Sequence, residues 1–503
     1  MVLRLTTAQS DRAAGVLLGL ACGDALGAGY EFGPPLGDHL PVVMEGGGSC
    51  GWAPGEWTDD TSMAVAIAEV AAEGLDLRSE VAQDRIAGRW AGWAETAKDV
   101  GIQTRQVFGS ATEVVGTQPT AEGLRTAAAD LHRRTGRTAG NGSLMRTAPL
   151  ALAYLHDEAA LVEAATALSA LTHADPEAGE ACALWCLAIR TAVLEGTFDG
   201  LREGLDRLPA DRRSIWAGRL REAETKPPSA FEHNGWVVEA LQGAWSAINR
   251  TPVPSPEGGH GFPAEHLRLA LEAAVRGGRD TDTVAAIAGS LLGARWGASA
   301  VRSAWRRRLH GWPGIRARDL VRLAVLSAQG GLPDRAGWPS GARVDYSRWP
   351  GRRALAQHPH DAQVWLSGVS ALDHLPDGVD AVVSLCRLGA SDVPALGVAA
   401  TDHVEVWLVD DIHSDKNPNL EYVLYDATSA VEALRAEGRT VLLHCVQAQS
   451  RTPTVAALYG ARVSGKAPLE CLADIKRVLP DAVPNPTLLA VLQGTAVDVT
   501  DGG

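Results

Sequence analysis

Residues 15–27 read GVLLGLACGDALG, with glycine at Gly15, Gly19, Gly23 and Gly27. A spacing of four returns to one side of an α-helix, so this helix presents a face without side chains, suited to close approach in a compact bundle. The helical reading continues along the chain. From residue 10 to about 330, Ala, Leu, Glu and Arg dominate and apolar residues recur at three and four. Helical patterns lie at 61–74, 80–98, 121–135, 143–155, 158–171, 177–195, 199–224, 235–248, 264–276, 283–294 and 317–328. Strand-like runs are scarce there, which predicts an all-α domain.

The period changes after Gln329. Gly330-Gly331-Leu332-Pro333, Pro339, Gly341, Pro350 and Gly351 form a Gly/Pro-rich connector. Beyond it, Val364-Trp365-Leu366, Ala381-Val382-Val383-Ser384-Leu385, Val404-Glu405-Val406-Trp407-Leu408 and Thr440-Val441-Leu442-Leu443 read as buried strands. Helical patterns at 419–437, 452–464 and 468–478 are interleaved with them. This alternation predicts an α/β domain with a largely parallel sheet. The expected fold is therefore multidomain: all-α over 1–335, a linker over 336–355 and α/β over 356–503. A chain of 503 residues is too long for one typical core.

Lys plus Arg number 46 and Asp plus Glu 60, a net charge of −14. That balance argues against nucleic acid as the main partner and against an anionic membrane surface. The local exception is Arg302–Arg322, which contains Arg306-Arg307-Arg308; Trp305, Leu309 and Leu320 at helical spacing predict a solvated helix face. Cys22, Cys50, Cys182, Cys186, Cys386, Cys445 and Cys471 form neither a zinc pattern nor a disulfide scaffold, so a reducing cytoplasm is the expected location. Ala13–Cys22 has the look of a signal segment, but Asp11 and Asp24 flank it. No stretch reaches the roughly 18 apolar residues of a membrane span.

Two polar runs, Thr58-Asp59-Asp60-Thr61 and Asp280-Thr281-Asp282-Thr283, each open a small-apolar helical pattern. Clustered carboxylates repel, and helix N-termini offset part of that repulsion. A divalent cation would offset the rest, since Asp and Thr oxygens are hard ligands suited to Mg2+ or Mn2+. Thr and Asp are also ordinary N-caps, and either run alone reads as a cap. Two runs in near-matching context point to a shared site. Three other polar segments accompany them. Asp24, in Gly23-Asp24-Ala25-Leu26-Gly27, leads to Glu31 in the loop Tyr30-Glu31-Phe32-Gly33-Pro34. Gly140-Asn141-Gly142-Ser143-Leu144-Met145-Arg146 is a Gly-flanked turn entering a helix, whose N–H groups could hold a phosphate. Thr172-His173-Ala174-Asp175-Pro176 places a histidine at another helix entry.

In this order, GVLLGLACGDALG (15–27), EWTDDTSMA (56–64), GNGSLMRTAPLAL (140–152), LTHADPEAG (171–179) and GRDTDTVAAIAG (278–289) resemble the ADP-ribosylglycohydrolase family of the dinitrogenase-reductase-activating type. The resemblance covers roughly residues 10–330. It implies an all-α fold around two metal ions, Mg2+ or Mn2+, with Thr58, Asp59, Asp60, Asp280, Asp282 and Thr283 as ligands. It gives Glu31 the part of an acid near the metals that governs substrate entry and helps activate water. Asn141, Gly142, Ser143 and His173 match positions that contact ADP-ribose. The implied reaction is hydrolysis at the anomeric carbon of ribose, which needs an activated water. Arginine, serine, another ADP-ribose and a nucleic-acid base all stay open as the leaving group.

In the α/β part, Thr440-Val441-Leu442-Leu443 runs into His444-Cys445-Val446-Gln447-Ala448-Gln449-Ser450-Arg451-Thr452, with a helical pattern directly after it. A strand–loop–helix of this length can curl its N–H groups around a phosphate. Cys445 would be the nucleophile, Arg451 would grip two phosphoryl oxygens, and Thr452 would hydrogen-bond the thiolate and ease its departure. The HC-x5-R-S/T signature resembles the protein-tyrosine and dual-specificity phosphatase family over about residues 355–495, with His444 and Thr452 completing the expected phosphate-binding set. That family needs an upstream general acid, for which Asp411 is the first choice and Asp410 the second. Many relatives carry Gly where this chain has Ala448, and a positive φ there would strain a Cβ.

The two resemblances lead to an expected bifunctional hydrolase. One half would act on an ADP-ribosylated protein or ADP-ribose derivative and the other on a phosphorylated substrate. The alternative is an ADP-ribose- and phosphate-binding regulatory protein in which one or both sites do not turn over.

Overall fold

The computed structural model describes residues 4–115, 118–255 and 261–494. In chain order the elements are α1 (Thr7–Gly27), α2 (Asp59–Ala71), α3 (Glu80–Ala94), α4 (Ile102–Val115), α5 (Ala121–Thr135), α6 (Ala148–Ala153), α7 (Glu158–Ser169), α8 (Pro176–Glu195), α9 (Gly200–Glu203), α10 (Ala210–Thr225), α11 (Val237–Arg250), α12 (His266–Arg276), α13 (Thr281–Trp296), α14 (Ser303–Arg306), β1 (His310–Gly311), β2 (Ile315–Arg316) and α15 (Ala317–Ala328). There follow β3 (Leu355–His358), β4 (Asp361–Ser367), β5 (Ala381–Ser384), β6 (His403–Glu405), α16 (Leu420–Ala436), β7 (Val441–His444), α17 (Arg451–Ser464), α18 (Pro468–Val478) and α19 (Pro486–Gly494). The chain forms two compact units, Met1–Val301 with Arg308–Leu332, and Arg302–Arg307 with Pro333–Gly503.

In the first unit, α1 starts at a capping box between Thr6 and Gln9 and is buried continuously from Ala13 to Gly27. Its glycine face lies antiparallel on α13. A Cβ on Gly15, Gly19 or Gly23 would fall onto the carbonyl oxygens of Gly293, Gly289 and Ala285, and one on Gly27 would lie 2.5 Å from the Cα of Asp282. Backbone-to-backbone contact of this kind needs both helices bare, and Gly289 and Gly293 supply the second bare face. The antiparallel register carries the C-terminal end of α1 to the N-terminal end of α13. Asp24 and Asp282 therefore meet there.

Two helical expectations differ from the structure. Residues 102–115 are helical although their β-branched Ile, Thr and Val residues hide the helical period; burial of Val107, Phe108 and Ala111 sets the conformation. The pattern expected at 199–224 is broken into α9, a 3-10 turn and α10, because Pro209 cannot continue a helix.

The second unit contains a five-stranded sheet in the order β3-β4-β7-β5-β6, in which β4, β7, β5 and β6 run parallel and β3 pairs antiparallel with β4. Val364, Leu366, Val383, Val441 and Leu443 pack with Val423, Leu424, Val455 and Ile475 of the helices in one core. Arg302–Arg307 belongs to this unit. The Ser303 N–H and Oγ donate to Asp426 of α16, at 3.0–3.1 Å for the N–H and 3.0 Å for Oγ. Arg306 reaches the Glu405 carbonyl at 2.7 Å, and Arg307 pairs with Asp402 at 3.0 Å and Glu437 at 2.7 Å. The basic stretch is thus not one solvated helix. Only Ser303–Arg306 is helical before the β1–β2 hairpin, and its arginines are drawn into acidic partners. No helix among the described residues is long and apolar enough to cross a membrane.

Candidate functional sites

The first site forms where the ends of α1, α2 and α13 converge. Asp24 is buried and accepts the N–H groups of Thr58 (2.8 Å) and Thr61 (2.9 Å) and the Thr61 hydroxyl (2.6 Å). It caps α2 from another helix. Thr58 and Asp280, the N-cap residues of α2 and α13, make no side-chain cap bond themselves, which sets the ordinary-cap reading aside. Thr58 Oγ1 instead donates to Asp60 Oδ2 at 2.9 Å.

One oxygen each of Asp24, Asp60 and Asp282 lie within 4.8 Å of one another, as do those of Glu31, Asp280 and Asp282. Asp282 is common to both triads. Asp59 belongs to neither, yet Asp24 and Asp280 act on its charge from nearby. Thr283 follows Asp282 directly and donates its N–H to Asp282 Oδ1 at 2.9 Å. Asp24 is the member of this cluster that the sequence did not assign; its place on the glycine-bearing helix was the available signal.

Burial, and then mutual repulsion, opposes ionisation throughout the cluster. Burial pushes Asp24 up to about 6. Burial and the charges of Asp280 and Asp59 push Glu31 up to about 8. Burial and the Asp99 charge push Asp59 to about 8, and Asp60 and Asp282 are held well above the usual carboxylate range. Asp280 is also raised by burial. Asp60 Oδ1 is buried with no hydrogen-bond partner. An orphaned carboxylate oxygen among five other acids is what a divalent cation satisfies, so the donor set fits such an ion.

Two backbone hydrogen bonds hold the two acidic loops together and maintain their strained residues. The Phe32 N–H donates to the Arg279 carbonyl at 2.6 Å and the Arg279 N–H to the Gly33 carbonyl at 2.7 Å. Phe32 and Arg279 have φ of 62° and 67°, which places Glu31 and Asp280 side by side. Asn141 Nδ2 donates to Asp280 Oδ2 at 2.7 Å and to the Asn234 carbonyl at 2.8 Å. Asn234 Oδ1 accepts the Asp280 N–H at 3.2 Å. Asn141, expected to contact ADP-ribose, therefore braces an acid of the site, and Asn234 is a partner that nothing in the sequence singled out. Ser143 points inward, accepting from Ser169 Oγ at 2.9 Å. His173 faces Gly140 and Gly142, and a Cβ on either would crowd its ring at 3.1–3.3 Å. Burial and the Arg146 charge push its pKa down to about 3.

The second site is the turn from β7 to α17. Cys445 and Thr452 are both buried, and Thr452 Oγ1 has no partner. Arg451 Nη1 donates to the Leu385 and Leu408 carbonyls at 2.6 and 3.1 Å. Ala448 has φ of 56°, the positive value expected for this position. Asp410 rather than Asp411 reaches the loop. Its Oδ1 accepts from Ser450 Oγ and Asn485 Nδ2, both at 2.8 Å, and its Oδ2 lies 3.6 Å from Arg451 Nε. Asp411 is engaged with His413, whose N–H and ring hold its carboxyl below the usual range.

His444 is fully buried. The Ala395 N–H donates to His403 Nδ1 at 3.0 Å, so His403 Nε2 carries the proton and donates to Ser384 Oγ at 2.7 Å. The Ser384 hydroxyl then donates to His444 Nε2 at 2.6 Å, leaving Nδ1–H for the Cys445 carbonyl at 3.3 Å. His444 thus braces the loop backbone, and burial pushes its pKa down to about 4. Ser384 and His403, distant in sequence, complete a brace that no motif announced.

A family model described as ADP-ribosylglycohydrolase matches residues 5–333. The ADP-ribosylarginine hydrolase Tri1 of Pseudomonas putida (strain GB-1) is 32% identical over 314 residues, covering 60% of this chain and 75% of that relative. The ADP-ribosyl-[dinitrogen reductase] glycohydrolase of Rhodospirillum rubrum is 29% identical over 309 residues, 59% of this chain and 90% of that relative. Among solved structures, human DUSP28 covers 28% of this chain and 94% of its own at 21% identity, with a TM-score of 0.24.

Proposed function

The chain belongs to the ADP-ribosylglycohydrolase family, and from that premise we propose that its first unit releases ADP-ribose from modified arginine on a protein, with two Mg2+ or Mn2+ ions bound. The observation that carries this reading is the pair of carboxylate triads sharing Asp282. Asp24, Asp60 and Asp282 would hold one ion, and Glu31, Asp280 and Asp282 the other, with Thr58, Asp59 and Thr283 adjoining them. The ions would supply charge to acidify a water and orient the ribose hydroxyls. Glu31 accepts the proton of the attacking water. The new C–O bond forms at the anomeric carbon as the C–N bond to guanidine breaks, and the departing nitrogen takes up a proton. The Gly140–Ser143 turn and His173 line the place for ADP-ribose. Arginine on a protein is favoured as acceptor because one relative is named for ADP-ribosylarginine and the other for ADP-ribosylated dinitrogen reductase.

The test is release of ADP-ribose from an arginine-modified protein by the full chain, with Mg2+, Mn2+ or a chelator. Release is expected only with metal and is expected to disappear in Asp59→Ala and Asp282→Ala. Unchanged release in both variants would sink the metal assignment, and tight binding without release would favour the regulatory reader.

A second reading has its own observation, the orphaned Thr452 hydroxyl at the start of α17, on the turn that also carries the buried Cys445 and Arg451. The second unit would hydrolyse a phosphate monoester. The Cys445 thiolate forms the S–P bond while the ester P–O bond breaks, and Asp410 gives the leaving oxygen its proton. Water then cleaves the S–P bond, giving a proton back to the Asp410 carboxylate, with Thr452 donating a hydrogen bond to the departing thiolate. Full turnover of an aryl phosphate by Cys445→Ser would refute it. The sparse cysteine spacing suits a reducing cytoplasm for both activities.

A further inference from the structure

Arg146 is the largest buried cation next to the acidic site. It is 1% exposed, and no carboxylate pairs with it among the described residues. Its guanidinium lies over Trp90, 4.0 Å from the ring centroid, and one N–H points at Met63 Sδ at 3.6 Å. Nη2 lies 2.6 Å from Thr172 Oγ1, which in turn lies 2.7 Å from His173 Nδ1. Burying an unpaired guanidinium is costly, so its two polar contacts have a purpose to explain.

Donor and acceptor rules resolve the direction of this chain. A guanidinium only donates, so Thr172 Oγ1 accepts from Arg146. The Thr172 side chain is fully buried, and its O–H has no other acceptor among the described residues. If His173 Nδ1 carried the proton, that O–H would be left unpaired in the interior, which costs more than the hydrogen bond is worth. The arrangement that leaves no buried donor orphaned has Thr172 donating to Nδ1. The His173 proton is then on Nε2, which faces Gly140 and Gly142, where the missing Cβ atoms leave room beside the ring.

We propose that Arg146 and Thr172 are positioning residues that lock His173 as a neutral Nε2–H donor, aimed at an acceptor oxygen of ADP-ribose in the Gly140–Gly142 bay. The ligand half of this proposal rests on the ADP-ribose reading of the site; the tautomer half does not. Arg146 serves twice. It fixes the Thr172 hydroxyl, and its charge adds to burial in opposing a second proton on the ring. The lock makes the ring a donor only, unable to present a lone pair to the phosphoryl oxygens.

The experiment uses the full chain labelled with 15N-histidine, with the His173 signals assigned through His173→Gln, and titrations of ADP-ribose by calorimetry. The wild-type protein is expected to show the Nε2–H tautomer of His173. Thr172→Val, isosteric but without the hydroxyl, is expected to lose the single tautomer and to weaken ADP-ribose binding about tenfold. Thr172→Ser is expected to restore both. An Nδ1–H tautomer in the wild type overturns the lock whether or not the variants fold, as does a Thr172→Val protein with unchanged tautomer and affinity. The expected tautomer in a wild-type protein that does not bind ADP-ribose overturns the substrate reading and leaves the lock standing.

Discussion

At the scale of single residues, the three non-glycine residues with positive φ among the described residues are Phe32, Arg279 and Ala448, and each adjoins a candidate site. Left-handed backbone costs an L-residue about 1 kcal/mol, and surrounding contacts must hold it. In Ala448 that strain comes with no side-chain function, because the Cβ is merely buried. Ala448→Gly is therefore expected to raise stability by up to about 1 kcal/mol and to leave or increase aryl-phosphate turnover. A urea midpoint that falls would show the Cβ to be a needed packing contact. The conformational requirement at position 448 was legible only through the phosphatase resemblance, in which many relatives carry Gly where this chain has Ala448. The choice between Asp410 and Asp411 was not, since neighbours in an irregular loop differ only by which way the chain faces. Asn234 was hidden, and Asp24 was signalled only by its place on the glycine-bearing helix. Their roles are to satisfy the backbone of a remote segment, and no local spacing encodes a remote partner.

At the scale of elements, the first site is a product of helix ends brought together by the bare faces of α1 and α13. In an exposed helix, Gly→Ala stabilises by about 1 kcal/mol. Gly19→Ala should do the reverse, because the added methyl would meet the Gly289 carbonyl, and backbone cannot swing aside. A loss of at least about 2 kcal/mol is expected, with weaker metal binding as Asp24 and Asp282 separate; a thermal melt as stable as the wild type would refute the close packing. The same convergence predicts how the metal-free protein responds to pH. Glu31 and Asp59 release protons near 4 when unfolded and near 8 when folded. The folded state binds more protons across that interval, so their contribution is fully present below about pH 4 and is lost as pH rises through about 8. Between about pH 6.5 and 8.5, above most histidine titration, the metal-free melting temperature should fall, and the rise on adding Mg2+ or Mn2+ should grow. A metal-induced shift that is zero or independent of pH would contradict the cation reading. The four-residue glycine spacing made the bundle legible, because period is a local property. The interruption at Pro209 and the helix at α4 were set by specific breakers and by burial, which periodicity alone weighs poorly.

At the scale of the whole molecule, the change from period near four to alternating strand and helix marked two kinds of architecture along one chain. Composition could not show that Arg302–Arg307 counts with the later unit, because its side-chain contacts there are with residues 94 to 130 positions away. Among the described residues, every hydrogen bond and ion pair of Asp426 comes from Ser303 and Arg306. Asp426 and Arg306 keep only 9% and 14% of their side-chain exposure, so the pair is nearly desolvated. Removing one partner of such a pair leaves an uncompensated charge, while removing both does not. Arg306→Ala is expected to destabilise the second unit by about 2–3 kcal/mol. Asp426→Ala should cost a similar amount alone and much less in the Arg306→Ala background, giving a coupling of about 1 kcal/mol or more. The unfolding of this unit can be followed in the full chain by urea-dependent thiol labelling of Cys471, which is buried in its core and resolved from other cysteines by peptide mass. Simple addition of the two losses would mean that the pair is decorative and that the unit ends where the Gly/Pro-rich connector does. A coupling of the expected size would mean that six residues from the middle of the chain are structural members of the unit that carries Cys445, and that a protein beginning at Pro333 would lack the partners of a buried acid.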